Sequence, residues 1–235
     1  MDETTILLSG AGVEISADFD TPLYGKYKIA LQSLSTFYSW PNVDSSNNKL
    51  VYRRARNEKT ITFPEGAYEI KDLSEYIRNR LKVNGDDEAF RLGASFNTLK
   101  AYIDILKDGY TVDMDKSTIK SILGWNGGVL HGVGTYSLDE KVNITNINEI
   151  LVHCDVCDGI WAMYNGKISK QTVLTSFYPD VNPGDKIRFD RNKLFYSPMK
   201  SDKVSSIKVW LTDQDYKPIN NGTEKLTVKL HVKSI

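Results

Sequence analysis

Two cysteines lie three residues apart in Cys154-Asp155-Val156-Cys157, a spacing that suits half a zinc site or a dithiol redox pair. Zinc needs a second ligand pair, and His131, His153 and His231 are too scattered to supply one. A redox pair belongs at a helix start, whereas Ile150 to Cys157 reads as a strand, in which residues three apart face opposite ways. Both cysteines are therefore expected to be reduced, unbridged and structural. Paired carboxylates occur at Asp113/Asp115 and Asp213/Asp215, where a strand would aim both members one way, toward a cation or an acid–base task. The further ligands and the glycine of a calcium loop are missing, so turn caps or solvated strand ends are the expected roles. The sequence has no phosphate-cradling Gly-x4-Gly-Lys motif, no Gly-x-Ser-x-Gly elbow and no His-Glu-x-x-His, and Gly132-Val133-Gly134 lacks a following helix. These patterns assign no catalytic residue, metal or cofactor.

Other residues suit contact with a partner. Arg53-Arg54-Ala55-Arg56 is the densest basic cluster and could meet phosphate or an acidic surface. Residues 1–20 carry Asp2, Glu3, Glu14, Asp18 and Asp20 and no Lys or Arg. An acidic arm and a basic loop can pair between neighbouring copies, or remain two solvated patches. Trp40, which closes Phe37-Tyr38-Ser39-Trp40, and Trp125, beside Gly124 and Asn126, fall in loops. A loop tryptophan either anchors an interface or plugs the end of its own sandwich, and both stay open. Trp161 and Trp210 fall in strands, as packing residues. The 30 Lys+Arg and 30 Asp+Glu cancel, which argues against a general nucleic-acid binder. That zero is a cancellation between the acidic N-terminal stretch, the arginine loop and a lysine-bearing last strand. No apolar run approaches the ~18 residues of a membrane span. Met1 to Thr5 lacks the basic region of a secretory signal, so the sequons Asn143-Ile144-Thr145 and Asn221-Gly222-Thr223 are expected to be unmodified.

The elements that must position these residues are mostly strands. Leu226, Val228, Leu230 and Val232 alternate with Thr227, Lys229, His231 and Lys233, and Ile207, Val209 and Leu211 alternate with Lys208, Trp210 and Thr212. These two runs are expected to be antiparallel neighbours across a long connection. Further strands are expected at 26–37, 49–53, 60–63, 68–70, 99–106, 110–114, 149–156, 160–163, 172–177 and 187–189, with weaker ones at 6–8 and 13–15. Asn165-Gly166 predicts a hairpin. Two helices interrupt the strands. One is capped by Asp72 with Glu75, and places Leu73, Tyr76, Ile77 and Leu81 on one face. The other, shorter, runs from Ser117 to Leu123 and is stopped by Gly124. Strands without regular helix alternation, with 13 Tyr, 8 Phe and 4 Trp, indicate an all-β antiparallel sandwich with one or two short inserted helices. Gly124 to Asn143 reads as a long loop.

Several phrases together resemble a known family. They are Ile29-Ala30-Leu31-Gln32-Ser33-Leu34-Ser35-Thr36 with Trp40-Pro41-Asn42; Thr60 to Leu73; Tyr164-Asn165-Gly166 with Ser176 to Ile187; and Trp210 to Asp215 with Leu226 to Val232. In this order they resemble the penton, or minor capsid protein, of Polinton/Maverick elements and adintoviruses, over about residues 26–232. The resemblance implies a single jelly roll over 26–235 preceded by an N-terminal arm, 1–25. It implies a non-enzymatic virion protein, assembled inside the host cell, that forms pentamers at the vertices of an icosahedral shell beside a double jelly-roll major capsid protein. It brings no specific nucleic acid and no membrane span. Trp40, Arg53, Arg54, Arg56, Trp125, Asp18 and Asp20 are the candidate subunit contacts. The rival expectations are a carbohydrate- or receptor-binding sandwich using Trp40 and Trp125, a jelly-roll major-capsid or spike relative, and a hydrolase using one of the aspartate pairs.

Overall fold

The computed structural model describes residues 3–95, 97–137, 139–144, 147–164 and 166–235, with Tyr164 described by its backbone. Asp2 of the acidic stretch, Thr145 of the first sequon and Asn165 of the hairpin turn lie outside the described residues. In chain order the elements are Glu3–Ala11 (β1), Glu14–Tyr24 (β2), Tyr27–Phe37 (β3), Lys49–Arg54 (β4), Asn57–Thr62 (β5), Ile70–Val83 (α1), Phe90–Ser95 (β6), Lys100–Ile105 (β7), Tyr110–Asp113 (β8), Lys120–Leu123 (α2), Val129–His131 (β9) and Gly134–Ser137 (β10). Ile150–Cys154 (β11), Ile160–Tyr164 (β12), Lys167–Gln171 (β13), Val173–Phe177 (β14), Lys186–Asp190 (β15), Ser197–Pro198 (β16), Lys203–Asp213 (β17) and Lys225–Ser234 (β18) complete the chain. They fall into two compact units, Met1–Trp40 with Ile147–Ile235, and Pro41–Asn146.

The first unit is a jelly roll. One antiparallel sheet has the order β1-β18-β3-β15, with β16 also on β3, and the other has the order β14-β11-β17-β2. The chain changes sheet from β1 to β2, β2 to β3, β3 to β11, β14 to β15, β16 to β17 and β17 to β18, which wraps one sheet over the other. Alternation decides the inner face. Leu226, Val228, Leu230 and Val232 of β18 are buried, and Ile207, Val209 and Leu211 of β17 bury into the same core. The two strands expected to be neighbours therefore lie in opposite sheets, because the 214–224 connection carries the chain across the sandwich. Of residues 1–25, expected as an arm, Glu3–Ala11 and Glu14–Tyr24 are built into the fold as strands instead. β1 pairs with β18 from Glu3↔Lys233 to Ala11↔Lys225, and β2 pairs with β17. The weak apolar patterning there reflects edge strands, each hydrogen-bonded on one side only.

The second unit enters between β3 and β11, so the jelly roll is not continuous in sequence. It holds a β5-β4-β8-β9 sheet, a β10-β7-β6 sheet and both helices. Leu73, Ile77 and Leu81 of α1 join Tyr52, Phe63, Ile103 and Met114 in a separate core. Helix α1 begins a turn earlier than its sequence signal. Glu69 is the N-cap, and its N–H donates to the Asp72 carboxylate at 2.9 Å, which makes Asp72 the third helical residue rather than the cap. Ser117 does not cap α2; it is buried, donating to Asp113 O at 2.6 Å and accepting from Val51 N–H at 2.9 Å. The expected loop from Gly124 contains β9 and β10, too short for periodicity to reveal.

Gly124 ends α2 in the left-handed region (φ 75°), and a Cβ there would meet Lys141 O at 2.5 Å. Gly124→Ala is expected to lower stability by more than about 1 kcal/mol, read from the denaturation midpoint; an unchanged midpoint would show that this cap can relax.

Candidate functional site

The chemistry-bearing residues are spent on structure. Asp113 Oδ1 accepts the Lys116 N–H at 3.2 Å, and Asp115 Oδ1 accepts the Gly128 N–H at 2.7 Å. Asp213 Oδ1 accepts from the N–H groups of Asp215 and Lys217 at 2.8 and 2.9 Å, so these carboxylates organise turns. Among the described residues no group of three or more His, Cys, Asp or Glu is arranged to hold a metal ion, and no helix is long and apolar enough to cross a membrane. Asn221 of the second sequon is buried, which closes it to modification.

Cys154 and Cys157 are both free and fully buried. They do not face opposite ways as a continuous strand would require. The chain turns after β11, the Cys157 N–H donates to Cys154 O at 3.3 Å, and the Cys157 thiol donates to the same carbonyl at 3.1 Å. The neighbouring Cys157 thiol and burial together hold the Cys154 thiol well above the usual thiol range. The folded protein is expected to give almost no thiol reaction with a soluble disulfide reagent, and both thiols to react after denaturation; rapid reaction in the native state would contradict their burial.

The candidate contact residues divide. Trp40 joins the jelly-roll core with its ring 4.5 Å from Tyr38, and Trp125 joins the second core with its indole N–H donating to Gly127 O at 2.7 Å. Both plug their own units and are closed to a partner or a sugar. Arg53 is engaged by Asp113 at 2.9 Å and Glu58 at 3.0 Å, and Arg54 reaches Asp86 at 3.4 Å. The arginine cluster is thereby largely neutralised within its own unit, and only Arg56 is exposed with no ion pair among the described residues. Asp18 and Asp20 do stand exposed on β2, with no ion pair among the described residues, whereas Glu14 on the same strand pairs with Lys208 at 2.7 Å.

Two further surfaces stand exposed on the first unit. The hairpin β12–β13 exposes Trp161, Met163 and Ile168, about 70% each, with Met163 opposite Ile168, so its tryptophan is not a packing residue. The outer face of the β1-β18-β3-β15 sheet carries Lys225, Lys229 and Lys233 from β18, Lys28 from β3, and Lys186 and Arg188 from β15. None of the six has an ion pair among the described residues. Alternation on β18 did place its lysines on the wet face; the convergence of β3 and β15 beside them needed the strand order.

The jelly roll and its insertion invite comparison with solved structures. In fold, the chain is similar to the mavirus penton protein. The two share 11% identity with a TM-score of 0.53 over 100% of both chains. A chain of the Sputnik virophage, seen by electron cryo-microscopy, gives 13% identity and a TM-score of 0.51 over 100% of this chain and 98% of its own. No family model matches the sequence, and no curated protein matches it either. At such identities the likeness establishes the all-β jelly-roll fold, in agreement with the sequence resemblance to pentons.

Proposed function

We propose that this chain is a structural virion protein, the vertex subunit of an icosahedral capsid of a Polinton-like virus. It assembles into pentamers, sits beside a double jelly-roll major capsid protein and turns over no substrate. One observation carries this: the fold runs the whole length of both chains against a protein described as a penton, so the match extends beyond the jelly roll to the inserted unit as well. The sequence phrases that resemble pentons fall in both units, and of the aspartate pairs that a hydrolase would need, Asp113, Asp115 and Asp213 accept backbone N–H groups. A sugar-binding role for Trp40 and Trp125 loses its residues to the two cores.

Co-expression with a double jelly-roll major capsid protein tests this. Electron microscopy is expected to show closed shells with the chain at their vertices. Shells whose vertices lack it, formed in its presence, would overturn the proposal.

A further inference from the structure

Two exposed strands of the jelly roll present charges of opposite sign, Lys186 and Arg188 on β15 and Asp18 and Asp20 on β2. β15 is the edge strand of one sheet and β2 is the edge strand of the other. β2 follows β1 through a tight turn at Gly12, which puts the β1 and β2 edges on one flank of the sandwich, with β15 at the far end of the sheet that β1 begins. Across the outer face of the β1-β18-β3-β15 sheet, from Leu7 on β1 to Lys186 and Arg188 on β15, runs a shallow depression of about 240 Å³, lined also by Ser33, Ser35, Thr227 and Lys229. One carboxylate, Asp190, shares it. On the other flank β2 presents Asp18 and Asp20, exposed and two residues apart.

We propose that the basic face around β15 is the docking surface for a second copy of this chain, whose β2 strand brings Asp18 and Asp20 against Lys186, Arg188 and Lys229. The proposal rests on the vertex role above and names the surfaces that would carry it. Two copies of the basic face repel each other, so a twofold contact through it is disfavoured. A contact between unlike surfaces is heterologous, the kind that builds a ring when its rotation closes. Lys186 and Arg188 are two residues apart on β15, which sets their charges at roughly 6–7 Å on one side of that strand, and Asp18 and Asp20 are likewise two residues apart and both exposed, where β2 leaves its regular register with β17. The small Ser33 and Ser35 in the lining leave room for carboxylates between the long cationic side chains and offer hydroxyl donors to them. The acidic half of the pairing read from the sequence is thus kept, and its basic half moves from Arg53–Arg56 to the jelly roll itself.

Charge reversal tests the pairing. One variant carries Lys186→Glu, Arg188→Glu and Lys229→Glu; a second carries Asp18→Lys and Asp20→Lys; a third carries all five changes. Sedimentation of the full chain is read across a concentration series, with circular dichroism confirming the fold and Arg188→Glu alone as the mildest variant. Each half-reversal is expected to raise the concentration needed for assembly at least about tenfold, and the combined swap to restore it. Added salt is expected to weaken wild-type assembly. If the wild type assembles and the face-reversed variant assembles equally well, this interface is wrong while the vertex role stands. Loss on face reversal without rescue by the combined swap would overturn Asp18 and Asp20 as the partners. Should reversal abolish retention on immobilised heparin and leave assembly untouched, the face takes a polyanion instead. A wild type that never assembles removes the vertex role and this inference together.

Discussion

Asp86→Ala is expected to cost the protein about 3–5 kcal/mol, the penalty of breaking a buried charge cluster by removing one member. The Asp86 side chain has no exposed surface, and four donors converge on it. Oδ2 accepts from Lys59 Nζ at 2.6 Å and from the Tyr52 hydroxyl at 2.8 Å; Oδ1 accepts from the Tyr110 hydroxyl at 2.9 Å and faces Arg54 at 3.4 Å. Lys59 also donates to Asn84 O at 3.0 Å, which ties the end of α1 to the β5-β4-β8 sheet. Burial works to raise the Asp86 carboxyl, but the hydrogen bonds from Lys59, Tyr52 and Tyr110 outweigh it and hold the group below its ordinary value. Burial, together with this carboxylate, pushes the Tyr52 hydroxyl up to about 12. Because the folded carboxyl is depressed, its stabilisation is present above the unfolded value near pH 4 and is lost as pH falls through the folded value. Denaturant titration is expected to show the full deficit of Asp86→Ala at pH 7 and a smaller one in strong acid. A loss below about 1 kcal/mol at pH 7 would show that the cluster is held by packing alone.

Mild acid is expected to weaken the jelly roll through one residue. His153 on β11 is 4% exposed, with its ring stacked 4.9 Å from Trp210 and its Nε2 2.9 Å from Thr212 Oγ1. Thr212 donates its own hydrogen to Asp213 O at 3.1 Å, so Nε2–H is the donor to Thr212 and Nδ1 is left unprotonated. No hydrogen-bond partner faces that buried Nδ1, and burial lowers the imidazole to about 4. The unfolded chain binds this proton near pH 6.5, well before the folded one does. Stability is therefore fully present above the unfolded value and falls as pH drops from about 6.5 to about 4, by on the order of 3 kcal/mol. His153→Gln is expected to flatten that slope, whatever it does to stability at pH 7. A slope equal to wild type in the variant would assign the acid sensitivity to other groups.

The legibility of this fold followed its periodicity. β18 could be read because a central strand with one buried face alternates Leu226, Val228, Leu230 and Val232 with polar residues. β1 and β2 were muted because edge strands bury less, and so they passed for an arm. The boundary at Trp40–Pro41 was hidden for a different reason: both units are strand-rich with their own aromatic cores, so composition does not shift where the chain leaves the jelly roll. Charge was visible and its pairing was not. Arg54 meets Asp86 and Arg53 meets Asp113 across 32 and 60 residues of chain, separations that only the folded arrangement of β4, β8 and the loop after α1 resolves. Asp113 and Asp213 are legible as turn acceptors because Asp satisfies backbone amides a few residues on, a short-range preference that needs no tertiary knowledge.

The most direct test of the whole account is native mass spectrometry of the purified chain at high concentration. A vertex subunit is expected at five times the 26.6 kDa chain mass, with dissociation into single chains on dilution. A mass of 26.6 kDa at every concentration, unchanged when a double jelly-roll major capsid protein is supplied, would contradict it.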